Sequence, residues 1–156
     1  MSDHYNDIKR EFRAGGTIPV ELFQLVTGKH LGGGSTRQVF EYALDPALVI
    51  KYEMNAGSFA NVMEWETWQK LTWDKELSKW LAPCLYISPC GCILIQQKTE
   101  PLPHSKYPKK IPRLFQDTKY QNWGWWKSRF VCHDYALTGT FDGGSPARLV
   151  NADWWG

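Results

Sequence analysis

The tightest constraint on this chain is a pair of strand-turn-strand runs with one helical run between them. Gln38-Val39-Phe40-Glu41-Tyr42-Ala43 leads through a turn at Leu44-Asp45-Pro46 into Ala47-Leu48-Val49-Ile50-Lys51-Tyr52. β-Branched and aromatic residues on both sides of an Asp-Pro turn predict a β-hairpin. Cys84-Leu85-Tyr86-Ile87 and Cys92-Ile93-Leu94-Ile95-Gln96 flank Ser88-Pro89-Cys90-Gly91 and predict a second one. Between them, residues 58–71 read as a helix with Ser58 as candidate N-cap. Val62, Trp65 and Trp68 form one apolar stripe along it.

The rest of the chain is less regular. Residues 1–14 read as a short polar helix, broken by Gly15-Gly16. Residues 19–27 fit a helix or a strand. Residues 98–112 carry four Pro and several Lys and read as a linker-like segment. Residues 123–133 hold two β-like runs about Lys127-Ser128. The tail from Gly139, with Gly143-Gly144-Ser145-Pro146, reads as irregular. A length of 156 residues allows one domain, 1–156, with a real core. With 43% apolar and 22% charged residues, the chain is not of a disordered composition. A net charge of +2 argues against a dedicated nucleic-acid binder. No apolar run is long enough to cross a bilayer, and the polar opening MSDHYNDIKREF shows no secretory segment. The expected compartment is the cytoplasm. There Cys84, Cys90, Cys92 and Cys132 are expected as free thiols; Cys90-Gly91-Cys92 is tighter than the usual zinc spacing.

Several short patterns carry chemistry. Leu31-Gly32-Gly33-Gly34-Ser35-Thr36-Arg37-Gln38-Val39-Phe40 runs from a glycine cluster into a strand. A dinucleotide fingerprint or a Walker loop would lead into a helix instead. The next strand ends Leu48-Val49-Ile50-Lys51, a V-A-I-K pattern. The helix offers two carboxylates, Glu64 and Glu66, and Glu64 lies nearer the face shared with Trp68 and Leu71. Asp117-Thr118-Lys119-Tyr120-Gln121-Asn122 has the form D-x-K-x-x-N. Asp134-Tyr135-Ala136 follows an apolar run.

In this order and these contexts, the patterns resemble the protein-kinase-like superfamily, and look most similar to its very short bacteriophage and bacterial members. The resemblance covers roughly residues 28–136. It implies an α+β fold: an antiparallel-sheet N-lobe with one main helix, over about 1–98, then a hinge, catalytic loop and strongly truncated C-lobe over 99–156. It implies ATP and Mg²⁺ as cofactors. Gly32, Gly34 and Val39 would cover the nucleotide, and the backbone at Gln97, Lys98 and Thr99 would bind adenine. Lys51 would bind the α/β-phosphates and pair with Glu64. Asp117 would be the catalytic base, Lys119 would neutralise γ-phosphate charge, and Asn122 and Asp134 would hold Mg²⁺. The chain departs from the pattern in four places. Arg37 stands where the third glycine belongs, Phe115-Gln116 replaces His-Arg, Ala136 replaces the Gly of D-F-G, and no A-P-E follows. The implied activity is phosphoryl transfer to a hydroxyl, on Ser or Thr of a protein. The alternative is a pseudokinase-like module that binds a host or partner protein. Nine Trp in so short a chain are read as core filler or as a surface for self-association.

Overall fold

A computed structural model describes residues 20–53, 57–138 and 144–156. The helix expected over 1–14 and the Gly15-Gly16 break lie outside the described residues. The chain divides into two compact units, Met1–Val62 with Cys84–Lys98, and Met63–Pro83 with Thr99–Gly156. Residues 63–83, which a division at 98 would group with the first unit, cluster with the second.

The first unit is built on a five-stranded antiparallel sheet. Its strands are β1 Thr27–Gly33, β2 Arg37–Tyr42, β3 Leu48–Glu53, β4 Cys84–Ile87 and β5 Ile93–Gln97, in the order β1-β2-β3-β5-β4. Both expected hairpins are present: β2–β3 about the Asp-Pro turn and β4–β5 about the Pro-Cys-Gly turn. Residues 20–26, left open between helix and strand, form helix α1 Val20–Val26. Phe23 of α1 packs on Tyr52 at 5.1 Å and on Phe40 at 5.9 Å. Phe23, Ile50, Tyr52, Cys92 and Ile93 make the buried core of this face. Because a strand alternates its side chains, Ile50 and Tyr52 face α1 and Lys51 faces the other way.

Helix α2, Ala60–Leu71, follows β3. It starts one residue later than a Ser58 cap predicts. Phe59 has a φ of 54°, which separates Ser58 from the helix. Ser58 instead donates its hydroxyl to Glu53, and the other Glu53 oxygen accepts the Asn61 amide at 2.8 Å. A carboxylate distant in sequence therefore satisfies an N-terminal amide of α2. The Val62, Trp65 and Trp68 stripe is only half-buried. The fully buried positions of α2 are polar, Asn61 and Glu64.

The second unit has two two-stranded ladders. β6 Lys110–Pro112 pairs with β9 Leu149–Asn151, and β7 Trp123–Trp126 pairs with β8 Arg129–Cys132. The β7–β8 hairpin turns at Lys127-Ser128, as the sequence indicates, with φ of 43° and 62°. Two expectations are corrected here. The linker-like segment ends in β6, and the irregular tail contains β9. Each is only three residues long, too short to show a period of its own, and each is stabilised by the other.

Candidate functional site

In the first unit, the residues singled out by sequence fall on one line across the sheet. Gly32 on β1 is the cross-strand partner of Val39 on β2, Val39 of Lys51 on β3, and Lys51 of Leu94 on β5. Directly opposed residues point to the same face of a sheet. Lys51 is 3% exposed, so its ammonium sits in the body of the protein and not at an exposed strand end. The glycines close the β1–β2 turn, where the Gly34 amide donates to the Arg37 carbonyl at 2.9 Å. A Cβ on Gly33 would come within 2.7 Å of that carbonyl, whereas Gly32 and Gly34 border open space. A backbone without side chains thus faces outward beside the row.

Arg37, at the position of the missing third glycine, is buried, and its Nη1 donates to Asn61 Oδ1 at 3.4 Å. Asn61 is the residue that the sequence reading missed. It is 0% exposed, and its Nδ2 lies 3.1 Å from the Lys51 carbonyl and 3.0 Å from those of Gly91 and Cys92. One amide therefore ties the start of α2 to β3 and to the β4–β5 turn. No periodicity or spacing marks such a residue, because its partners are main-chain carbonyls.

The two helix carboxylates differ sharply. Glu64 is fully buried, while Glu66 lies on the surface 3.4 Å from Lys70. Of the segment expected to bind adenine, Gln97 ends β5. The Lys98 amide donates to the Ala47 carbonyl at 2.9 Å. The Lys98 ammonium lies 2.9 Å from Glu41, and this hydrogen bond and charge hold the Glu41 carboxyl below its usual range.

In the second unit, the D-x-K-x-x-N segment forms a hydrogen-bonded loop. Asn122 Nδ2 donates to one Asp117 oxygen at 2.8 Å, and the Lys119 amide donates to the other at 3.2 Å. The Trp123 indole donates to the Asp117 carbonyl at 3.3 Å. Asn122 is buried and Asp117 half-buried. Lys119 Nζ lies over the Trp155 ring at 5.4 Å. Asp134 is exposed just beyond β8, and the Cys132 thiol donates to its carbonyl at 3.2 Å.

His133 joins these parts. Its amide donates to the Asn122 carbonyl at 2.8 Å, its Nε2 donates to the Gln121 carbonyl at 2.8 Å, and its Nδ1 meets the Thr99 hydroxyl at 2.7 Å. A carbonyl can only accept, so the proton is on Nε2 in the neutral ring. The chain after β9 straps the same loop. The Tyr120 amide donates to the Trp155 carbonyl at 2.9 Å, and the Trp155 amide to the Thr118 carbonyl at 3.3 Å. The Thr118 hydroxyl donates to the Asp153 carbonyl.

An aromatic cluster supports the loop. Trp123 is 2% exposed, lies flat on Phe130 at 5.1 Å, and meets Phe115 and Trp154 edge-on. The filler role expected for tryptophan fits Trp123. Trp73, Trp125 and Trp155 are instead exposed. The Tyr107 hydroxyl donates to the Tyr120 carbonyl at 3.0 Å and lies 3.4 Å from that of Trp123. Burial, and then the neighbouring Tyr120, push the Tyr107 hydroxyl above its usual 10.0. The folded state therefore holds this proton more tightly than the unfolded chain. The resulting stability is complete below about pH 10 and is lost as the pH rises through the folded value. Tyr107→Phe should flatten that alkaline loss of stability, read as urea midpoints at stepped pH. An unchanged slope would rule Tyr107 out as its source.

None of the four cysteines is in a disulfide. Among the described residues, no group of three His, Cys, Asp or Glu side chains could hold a metal. An Asn–Asp pair remains compatible with Mg²⁺, which takes one or two carboxylates and completes its shell with water and phosphate oxygens. Because Asn122 Nδ2 is committed to Asp117, its Oδ1 is the atom suited to a cation. No protein-family model and no curated protein matches the chain.

Proposed function

We propose that the chain is a minimal kinase-like protein that binds ATP and Mg²⁺ and transfers a phosphoryl group to a hydroxyl, on Ser or Thr of a protein. The observation that carries this reading is the row Gly32–Val39–Lys51, with a buried lysine behind a glycine turn. A five-stranded antiparallel sheet in the first unit supports it as fold-level analogy. So does a D-x-K-x-x-N loop that runs into a hairpin and then into an Asp.

Bound Mg²⁺-ATP supplies the activated phosphoryl group and a compensating positive charge. The remaining work is positioning and charge neutralisation by this chain. Asp117 is held by two N–H donors, one on each oxygen, and keeps lone pairs with which to accept a hydroxyl proton. Asn122 Oδ1 and the Asp134 carboxylate would hold the cation. Lys51 would carry the α/β-phosphate charge, with Glu64 as its partner. Lys119, now over the Trp155 ring, would neutralise γ-phosphate charge.

One observation favours the alternative of a binding module without chemistry. Arg37 fills the third glycine position with a buried side chain committed to Asn61, and so stiffens a turn that kinases keep bare. A thermal-shift titration separates the two. ATP at about 100 times its Kd, with Mg²⁺, should raise the melting temperature by roughly 5–10 °C. No shift at saturating ATP, with or without Mg²⁺, leaves the binding module. Self-association through exposed Trp73, Trp125 or Trp155 belongs to the same proposal. Light scattering that finds only monomer at working concentration removes it.

A further inference from the structure

The second unit contains a pocket of about 320 Å³ that, Thr99 apart, none of the nucleotide roles uses. Its walls are Pro101, Leu102 and the rings of His104, Tyr107, Tyr120 and Trp123. Thr99, Gln121 and His133 supply the polar groups. No Lys, Arg, Asp or Glu lines it.

The rings are held in fixed relation to one another. His104 lies flat on Tyr120, with centroids 3.6 Å apart and planes within 2°. Tyr107 stands edge-on to both, at 5.7 and 5.0 Å. The Tyr107 hydroxyl is tied to main-chain carbonyls, so its ring cannot swing without breaking those bonds. Trp123 is clamped by Phe115 and Phe130. His133 has both ring nitrogens engaged, one with Thr99 and one with the Gln121 carbonyl. With both nitrogens committed within the protein, the ring offers the pocket an oriented edge and no metal ligand.

Pockets for small molecules begin near 300 Å³ and are lined mostly by aromatic and apolar groups with a few fixed polar ones. This pocket is at the small end, the size for one or two rings. A charged ligand would give up part of its hydration there and find no Lys, Arg, Asp or Glu to pair with. A flat ring would find the edge-to-face and offset partners that aromatic quadrupoles favour. We propose that this pocket binds a small, uncharged aromatic compound of one or two rings, with any polar group of the ligand turned toward Thr99, Gln121 and His133. The site does not depend on the phosphoryl-transfer reading. Adenine is itself an uncharged planar ring, so the test must separate the pocket from nucleotide binding.

Ligand-observed NMR on the full chain provides that test, with indole and phenol as probes and benzoate and benzylammonium as charged counterparts. The uncharged probes should bind at least about tenfold more tightly than the charged ones. They should bind equally well with saturating Mg²⁺-ATP present. Leu102→Trp should fill the pocket and abolish probe binding, with the melting temperature kept. If that variant does not fold, Gln121→Trp, at an exposed rim position, carries the same expectation. Tyr86→Leu, at a surface ring outside the pocket, should leave probe binding unchanged. Failure of the uncharged probes to bind overturns the proposal. So does equal binding of charged and uncharged probes, displacement of the probes by Mg²⁺-ATP, retained binding in the filled variant, or loss of binding in Tyr86→Leu. A nucleotide thermal shift is read separately, so failure of the pocket and failure of the ATP reading give different results.

Discussion

Asp134→Ala is expected to lower Mg²⁺-dependent phosphoryl transfer by about a thousand-fold or more. A carboxylate that holds the cation over the phosphates contributes through preorganised charge, and loss of one such group has an effect of this order. Asp134 is the exposed one of the two proposed ligands, and Asn122 the buried one. The Asp134 backbone is set by the end of β8 and by the Cys132 thiol on its carbonyl, and alanine keeps both. Asn122 is a poorer choice, because its amide also orients Asp117, so its loss would mix metal binding with alignment of the base. Initial rates of ADP formation with labelled ATP, alongside a melting curve, read the effect. A variant that keeps the wild-type rate sinks the assignment of Asp134.

Asn61→Ala is expected to cost about 3 kcal/mol of folding stability. The side chain is fully buried and its Nδ2 serves three main-chain carbonyls, on β3 and in the β4–β5 turn. Its Oδ1 also accepts from the buried Arg37 guanidinium. An alanine leaves these groups without their partner and without water, and each such group costs about 1–3 kcal/mol. Asn61→Asp sharpens the test. It keeps an oxygen for Arg37 but turns a second oxygen toward carbonyls that need a donor. The aspartate should therefore destabilise at least as much as the alanine. Urea unfolding of the three proteins decides it, and an aspartate variant of wild-type stability would contradict this account.

How far the sequence could be read depends on the kind of interaction. The two hairpins were legible because β-prone runs and turn residues are local signals, and β2–β3 and β4–β5 form where those signals lie. The β7–β8 turn at Lys127-Ser128 was legible for the same reason. The Gly32–Val39–Lys51 row was half-legible. The residues could be named, but their alignment is a matter of cross-strand register, which the bulges of β1 help to set. Long-range polar ties left no local trace. Glu53 caps a helix eight residues away, Asn61 reaches across 30 residues to Gly91, and His133 spans 34 to Thr99. The helix stripe misled because apolar spacing locates a buried face only when burial is driven by apolar contact, and α2 buries Asn61 and Glu64. β6 and β9 escaped because neither strand is meaningful without the other.

The strap over the Asp117–Asn122 loop has a kinetic consequence. Thr118 is held by Asp153 across 35 residues, and β9 must reach β6 over a similar span. Closing such a loop costs chain entropy before any contact rewards it. Contacts of this separation slow folding relative to local ones. The hairpins of the first unit, with partners a few residues apart, can form on a faster timescale. Order in the loop therefore comes late, and it is the first to be given up when residues 149–155 detach. Amide exchange at Tyr120, whose N–H is covered by the Trp155 carbonyl, would report that detachment apart from global unfolding.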